Sequence, residues 1–243
     1  MVGQVFKTNN GGDLVVIKYV NSKDVTVKFL DEHGCIVRHS MDKIRGGSIK
    51  NPYTPSVRGV GYIGDGEYRP YNGNKKSLAY VAWTGALRRC YDSSYHEEYP
   101  TYIGCYVCDE WKNFQVFAKW YTEHMFYGAG YHLDKDLLIE GNKIYSPDAC
   151  TLVPSKINGL LGDCGSSRGE FLQGVSYDSC YDNFIASINI NGGKKNLGRF
   201  KTPEEAHLVY KKAKEVYVKE KAQEWKGKIE DKVFNKLMSW TLD

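Results

Sequence analysis

The chain has 243 residues, of which 42% are hydrophobic and 26% are charged. This composition is typical of a globular protein and excludes a disordered or fibrous chain. The apolar runs all fall short of the roughly 20 residues that a membrane-spanning helix needs. The first ten residues contain no apolar signal segment, and seven Cys is an odd number. We therefore expect free thiols in a cytoplasmic protein that has no membrane partner.

The net charge of +4 is unevenly distributed along the chain. Residues 1–60 carry nine Lys and Arg against five Asp and Glu, whereas residues 61–164 carry ten against thirteen. Residues 165–243 carry fourteen against eleven. Basic flanks favour contact with phosphates, and an acidic centre favours a bound cation. The charge pattern favours a nucleic-acid partner and a metal site near the middle of the chain.

The first 58 residues predict a small β domain. Short β-rich runs at 14–19, 25–30 and 35–38 are separated by turn-forming clusters, which is typical of a small antiparallel barrel or meander. Its expected core consists of Val16, Tyr19, Val25, Val27 and Phe29. Residues 59–76 are rich in Gly and Pro and predict a connecting loop.

Two helices are expected next. The first runs from Ser77, its expected cap, to Tyr91, and the second from Asp109, also an expected cap, to Phe126. Apolar residues recur along the second helix at helical spacing, and we interpret them as core: Trp111, Phe114, Phe117, Ala118, Tyr121 and Met125.

Residues 131–161 predict a hairpin followed by a helix. One strand lies near His132, a second spans 150–153, and Pro154 begins a short helix that contains Asn158. Alternation along the first strand would place His132, Asp134 and Asp136 on one face. Residues 162–169 have the composition of a linker.

The remaining segment predicts a three-stranded sheet and a helix. The strands are expected at 174–177, 183–188 and 196–200. Asn191-Gly192-Gly193 predicts a hairpin turn, Thr202 and Glu205 form a capping box, and a last helix follows Gly227. The fold class is therefore α+β. It combines an N-terminal antiparallel β domain, a central helical and ββα domain, and a C-terminal three-stranded sheet packed on a helix.

The C-terminal segment carries the first family resemblance. The runs Gly174-Val175-Ser176-Tyr177, Asn183-Phe184-Ile185-Ala186 and Leu197-Gly198-Arg199-Phe200 resemble the ethylene-response-factor (APETALA-type) DNA-binding domain. The resemblance covers about residues 170–217 and implies that the sheet enters the major groove. Basic groups beside the strands suit phosphate and guanine contacts. The expected DNA-binding residues here are Lys194, Lys195, Arg199, Lys201, Tyr177 and Phe184, the last in place of the family's usual Trp.

The central segment carries the second resemblance. Trp83, Arg88-Arg89-Cys90-Tyr91, Leu133-Asp134-Lys135-Asp136, Gly141-Asn142-Lys143 and Tyr145-Ser146-Pro147 are similar to HNH (His-Me finger) homing endonucleases of phages. The resemblance implies that His132 is the general base. It also implies that Asp134 and Asn158 hold one divalent ion, Mg²⁺ or Mn²⁺, to which Asp136 adds a further oxygen ligand, and that Asn142 supports this site.

These residue types suit the hydrolysis of phosphodiester bonds. A neutral His accepts the proton of an attacking water near neutral pH, and oxygen ligands suit a hard cation. Arg88 and Arg89 would contact phosphates of double-stranded DNA. The resemblance therefore implies a phage-encoded homing endonuclease, with a nuclease domain at 77–163 and a DNA-binding domain at 170–243.

Two other interpretations stay open. Tyr131 stands where the HNH motif has an Asp or His, which favours a catalytically inactive DNA-binding protein, either a regulator or a host-takeover factor. Cys105 and Cys108 form a C-x-x-C pair that suits a structural Zn²⁺ site, and a zinc knuckle would favour a protein-binding module.

Overall fold

A computed structural model describes residues 1–10, 12–161 and 170–242. The protein is α+β, as its sequence predicts. The chain divides into two units, one containing residues 1–124 and 143–147, the other residues 125–142 and 148–243. The predicted linker at 162–169 lies outside the described residues. Among the described helices, none is both long and apolar enough to cross a membrane.

The first unit begins with a four-stranded antiparallel meander in the order β1-β2-β3-β4. These strands are β1 (Val5–Lys7), β2 (Asp13–Asn21), β3 (Asp24–Phe29) and β4 (Ile36–His39), and helix α1 (Met41–Arg45) follows them. Alternation along β3 buries Val25, Val27 and Phe29 in the expected core. Tyr19, by contrast, is 36% exposed, although a register shift between Val16 and Lys18 pairs it with the buried Val25.

The predicted connector at 59–76 is hydrogen-bonded to Gln115, which lies in a helix of the same unit. It contains the short strands β5 (Tyr71–Asn72) and β6 (Lys75–Lys76). The Gln115 side chain donates to the carbonyls of Ile63 (3.3 Å) and Tyr68 (3.0 Å) and accepts from the Tyr68 N–H (3.0 Å). These bonds satisfy backbone groups that a free loop would leave to water.

The helices of the first unit surround buried aromatic rings. They are α2 (Leu78–Tyr91), α3 (Ser93–Glu98) and α4 (Phe114–Glu123), with short 3-10 turns at Pro100–Tyr102 and Glu110–Lys112. Strand β7 (Tyr106–Val107) pairs in parallel with β9 (Ile144–Tyr145). Buried Trp83 donates its indole N–H to the Trp111 carbonyl at 2.7 Å. Burying the indole therefore leaves no unpaired donor on Trp83.

The caps of these helices test the sequence predictions directly. Ser77 caps α2 as predicted, accepting the Tyr80 N–H. The prediction of a helix from Asp109 to Phe126 is wrong at both ends, because Asn113 caps α4 by accepting the Gln115 N–H and the helix ends at Glu123. Met125 lies beyond that end and is exposed rather than part of the core.

The second unit holds the hairpin and the C-terminal segment. It contains β8 (Tyr131–Asp134), β10 (Thr151–Pro154), α5 (Ser155–Asn158), α6 (Pro203–Glu224) and α7 (Asp231–Met238). One hydrophobic cluster joins the hairpin region to α6 and α7. Its buried members are Leu137, Val153, Ile157, Leu160, Val218, Ala222, Ile229, Val233 and Leu237. The hairpin is therefore supported by the two C-terminal helices.

The same unit contains the predicted antiparallel sheet β11 (Val175–Asp178), β12 (Asn183–Ile190) and β13 (Gly193–Phe200). Ala186 and Ile188 of β12 are buried, and β12 packs against α6, whose Ala206 and Tyr210 are also buried. Thr202 caps α6 by accepting the Glu205 N–H, as predicted, although the Glu205 carboxylate accepts the backbone N–H of Lys201 rather than that of Thr202.

Candidate functional site

The predicted ββα arrangement is present in the second unit. Strands β8 and β10 pair antiparallel, with His132 opposite Val153 and Tyr131 opposite Pro154. Helix α5 begins at Ser155, directly after the second strand. Along β8, Leu133 is buried and His132 is exposed, although Val153, opposite His132 on the partner strand, is fully buried.

Ser155 contacts His132 across this hairpin. Its hydroxyl oxygen lies 3.0 Å from Nε2 of His132 and 3.1 Å from the carbonyl oxygen of Gly130. The backbone N–H of Ser155 donates to the same carbonyl at 3.0 Å. Sequence reasoning missed Ser155. Its position could have indicated this contact. Ser155 is the first helical residue after the second strand, and that strand was expected to pair with the strand that contains His132.

Asp134 ends the first strand and turns the chain. One carboxylate oxygen accepts the backbone N–H groups of Asp136 (3.0 Å) and Leu137 (2.7 Å). Burial raises the pKa of the Asp134 carboxyl, and these two donors oppose the rise. Because β8 stops here, Asp136 does not continue the alternation, and the expectation of three side chains on one strand face is wrong.

The raised pKa of Asp134 gives a pH-dependent stability difference. Its contribution to folding is fully present below the unfolded-state pKa and is lost as the pH rises through the folded-state value. Asp134→Asn keeps an oxygen acceptor but does not ionise. We expect the unfolding free energy of this variant, relative to wild type, to increase from about pH 4 to neutral pH. Urea titrations across that range measure it, and a pH-independent difference would contradict the assignment.

Asp136 and Asn142 both bind the buried Lys135. The Lys135 ammonium donates to the Asp136 carboxylate and to the Asn142 carbonyl, and the Asn142 amide donates to the Lys135 carbonyl at 2.8 Å. These bonds satisfy an ammonium group that burial would otherwise destabilise. Both residues therefore shape the loop that follows Asp134.

The predicted metal ligands occupy different local settings. Asn158 is the exposed last residue of α5, next to the buried Ile157, whereas Asp134 is partly buried at the end of β8. Across residues 1–10, 12–161 and 170–242, no three His, Cys, Asp or Glu side chains lie close enough to hold one metal ion. The fit of a cation therefore depends on Asp134. Its carboxylate is partly buried, and a nearby positive charge would stabilise the ionised form.

The C-x-x-C pair lies in the first unit. Cys105 is buried and Cys108 is partly buried. Burial raises the pKa of the Cys108 thiol to about 11, although zinc takes a thiolate ligand. A structural site needs four ligands, and the described chain brings no third His, Cys, Asp or Glu to this pair. The zinc site stays a prediction.

Arg88 and Arg89 differ in accessibility. The Arg88 side chain is 51% exposed and lies over the Tyr95 ring at 4.7 Å, with Asp92 3.9 Å away. Arg89 lies over the Tyr145 ring at 5.3 Å, and its Nε is buried. Arg88 is therefore placed for a surface phosphate, whereas Arg89 packs inside the first unit.

Strand register separates the predicted DNA-binding residues between the two faces of the C-terminal sheet. We call the face away from α6 the open face. Arg199 lies opposite Ile185 and Lys194 opposite Asn189, which places both basic residues there. Lys195 lies opposite the buried Ile188, on the α6 face, and Lys201 follows the end of β13.

The two predicted aromatic contacts lie on the α6 face of the sheet. Tyr177 and Phe184 are opposite each other, two residues from the buried Ala186 along β12. Their rings are 5.3 Å apart, and Phe171 packs 5.3 Å from Phe184. Alternation therefore directs them away from the open face, where the family resemblance places DNA.

Arg199 is held by polar and aromatic neighbours on the open face. Its guanidinium donates to the carboxylate of Asp178 at 2.6 Å and to the side-chain oxygen of Asn183 at 3.2 Å, and it lies 4.6 Å from the Tyr181 ring centroid. The hydrogen bond from Arg199 lowers the pKa of Asp178. Sequence reasoning missed Asp178, whose pairing with Arg199 spans two strands.

Neither protein-family models, nor curated proteins, nor solved structures provide a match to this chain.

Proposed function

We propose that the protein is a metal-dependent endonuclease that hydrolyses phosphodiester bonds of double-stranded DNA. The observation that carries the proposal is the exposed His132 on the first strand of an antiparallel pair that leads directly into a helix. Asp134, two residues further along, supplies a partly buried carboxylate. A strand-borne imidazole beside an oxygen ligand suits the deprotonation of water next to a bound cation.

Each residue has a defined role in this proposal. His132 accepts a proton from the attacking water, while Asp134 and the amide oxygen of Asn158 would hold Mg²⁺ or Mn²⁺. The cation, when bound, neutralises charge that develops on the phosphate. Asp136, Asn142 and Lys135 maintain the loop after Asp134. Arg88 would contact a phosphate.

The open face of the C-terminal sheet is the proposed recognition surface. Arg199 and Lys194 provide positive charge there, and Arg199 is held by two acceptors rather than free to rotate. Such a surface suits phosphate contacts and base edges in the major groove. The resemblance to phage homing endonucleases extends the proposal to a phage-encoded enzyme that acts in the cytoplasm of its host.

A binding selection followed by cleavage tests the proposal. Random-sequence duplexes retained by the purified chain are cloned into a supercoiled plasmid, which is incubated with Mg²⁺, with Mn²⁺ or with a chelator. We expect nicked or linear product only with a divalent ion. A selected site that stays supercoiled under every metal condition would contradict the enzyme proposal.

The second candidate is a DNA-binding protein without catalytic activity. Tyr131 favours it, because its hydroxyl donates to the Lys228 carbonyl at 2.9 Å and its ring stacks on Phe126. These contacts are structural, whereas the HNH motif has an Asp or His at this position. Specific binding without cleavage in the same experiment supports this candidate.

Substituting Asp178 tests the recognition surface separately from cleavage. Asp178→Asn keeps an acceptor for Arg199 and removes a negative charge from the open face. We expect tighter binding to random-sequence DNA, because the charge of Arg199 is no longer neutralised by Asp178. For the same reason, the slope of log K against log[salt] should become more negative by about one released counterion. Fluorescence anisotropy at several salt concentrations measures both quantities.

Glu220→Gln is the matched control, because it makes the same charge change at an exposed position of α6. Equal effects of the two substitutions would indicate that only net charge matters. That result would contradict a role for the open face.

A further inference from the structure

The hydroxyl group of Ser155 lies between two polar groups. Its oxygen is 3.1 Å from the Gly130 carbonyl oxygen and 3.0 Å from Nε2 of His132. Both distances are within hydrogen-bonding range, and Ser155 is the first residue of α5. The backbone N–H of the same residue donates to the Gly130 carbonyl at 3.0 Å, which anchors the hydroxyl through the main chain.

Counting protons determines the direction of these bonds. A carbonyl oxygen only accepts, and a hydroxyl group has a single proton to donate. If that proton went to His132, two oxygen lone pairs would face each other at 3.1 Å with no proton between them. If it goes to Gly130, the hydroxyl oxygen accepts from the imidazole, and both short contacts are hydrogen bonds. The second arrangement requires the proton of neutral His132 to be on Nε2.

We propose that Ser155 is a positioning residue that holds His132 with its proton on Nε2 and its lone pair on Nδ1. The catalytic part of this inference rests on the proposed function. In that reaction, an O–H bond of water breaks and an N–H bond forms at Nδ1. The hydroxide oxygen then bonds to phosphorus, and the bond from phosphorus to the leaving oxygen breaks with its electron pair.

The Ser155 hydroxyl also suits the product of this proton transfer. After Nδ1 has accepted a proton, both ring nitrogens are donors and the ring is positively charged. The bond from Nε2 to the hydroxyl then becomes charge-assisted and therefore stronger. Ser155 would therefore act through His132 rather than on the reacting atoms.

The test combines nitrogen-15 spectra of the histidine rings with nicking kinetics on the full chain. In wild type we expect the ring nitrogen shifts of His132 to report the Nε2–H tautomer as the predominant neutral form. Ser155→Ala should shift the tautomer ratio toward that of free histidine and lower the nicking rate at saturating DNA by about 10- to 100-fold, with an unchanged Kd. Ser155→Thr keeps the hydroxyl and should restore both properties.

Ser239→Ala is the matched control, since its hydroxyl lies within hydrogen-bonding distance of the backbone carbonyls of Asn235 and Lys236. It should leave the His132 signal and the nicking rate unchanged. A wild-type His132 protonated on Nδ1, or a Ser155→Ala variant that nicks at the wild-type rate, would overturn the inference. Absence of nicking with the Nε2–H signal intact would overturn the endonuclease proposal and the catalytic role of Ser155, but not the hydrogen bond.

Discussion

His132→Ala is expected to lower the rate of metal-dependent DNA nicking by about 10²- to 10⁴-fold while leaving DNA affinity unchanged. The reason is that the imidazole is the group proposed to accept the proton of the attacking water. Because the side chain is exposed on β8, its removal leaves no cavity in the core. Single-turnover nicking and anisotropy on the selected site measure the two quantities.

His33→Ala is the control for this substitution, because it removes an exposed imidazole from the first unit, where it stacks on Tyr53. It should nick at the wild-type rate. Added imidazole should restore part of the activity of the His132 variant, since the vacated position is open to solvent. Equal nicking by His132→Ala and wild type would refute the assignment of the base.

Gly174→Ala is expected to destabilise the second unit strongly. Gly174 has φ +80° and precedes β11, and a Cβ atom there would lie 2.1 Å from the Tyr210 ring. Its carbonyl also accepts the Ser187 N–H at 2.8 Å, which restrains any shift of the backbone. Left-handed strain and overpacking together cost about 2–5 kcal/mol.

Gly192→Ala is a closely matched comparison. Gly192 has φ +82°, but a Cβ atom there would meet nothing within 4 Å. It should therefore show the backbone strain without the clash, a loss of about 1–2 kcal/mol. Urea unfolding of both variants measures the difference, and equal losses would mean that Tyr210 moves aside at little cost.

Features specified by neighbouring residues were predictable from the sequence. Ser77 and Thr202 cap their helices as predicted, because an N-cap depends on a side chain and an N–H a few residues away. Asn191 and Gly192 both have positive φ, which the hairpin turn requires. Asn113 replaces Asp109 as a cap because the chain first makes a 3-10 turn, which helical spacing does not reveal.

Features that depend on strand pairing were harder to predict. The face on which Phe184 lies follows from its register with neighbouring strands, and this places it on the side of α6. Asp136 leaves the face of His132 because Asp134 ends the strand by accepting two backbone donors. Ser155 reaches His132 only through the pairing of β8 with β10. For the candidate site, the sequence therefore predicted the types of residue involved, but it did not predict the contacts between them.

The hydrophobic cluster shared by the hairpin and the C-terminal helices limits how this protein can be divided. Val153, opposite the candidate base, and Ile157 of α5 are buried together with Val218 of α6 and Val233 of α7. Truncation before α7 would remove apolar partners from the strand that pairs with His132. A chimera with a new recognition sheet must therefore retain α7 and the second half of α6, since these segments belong to the scaffold of the hairpin.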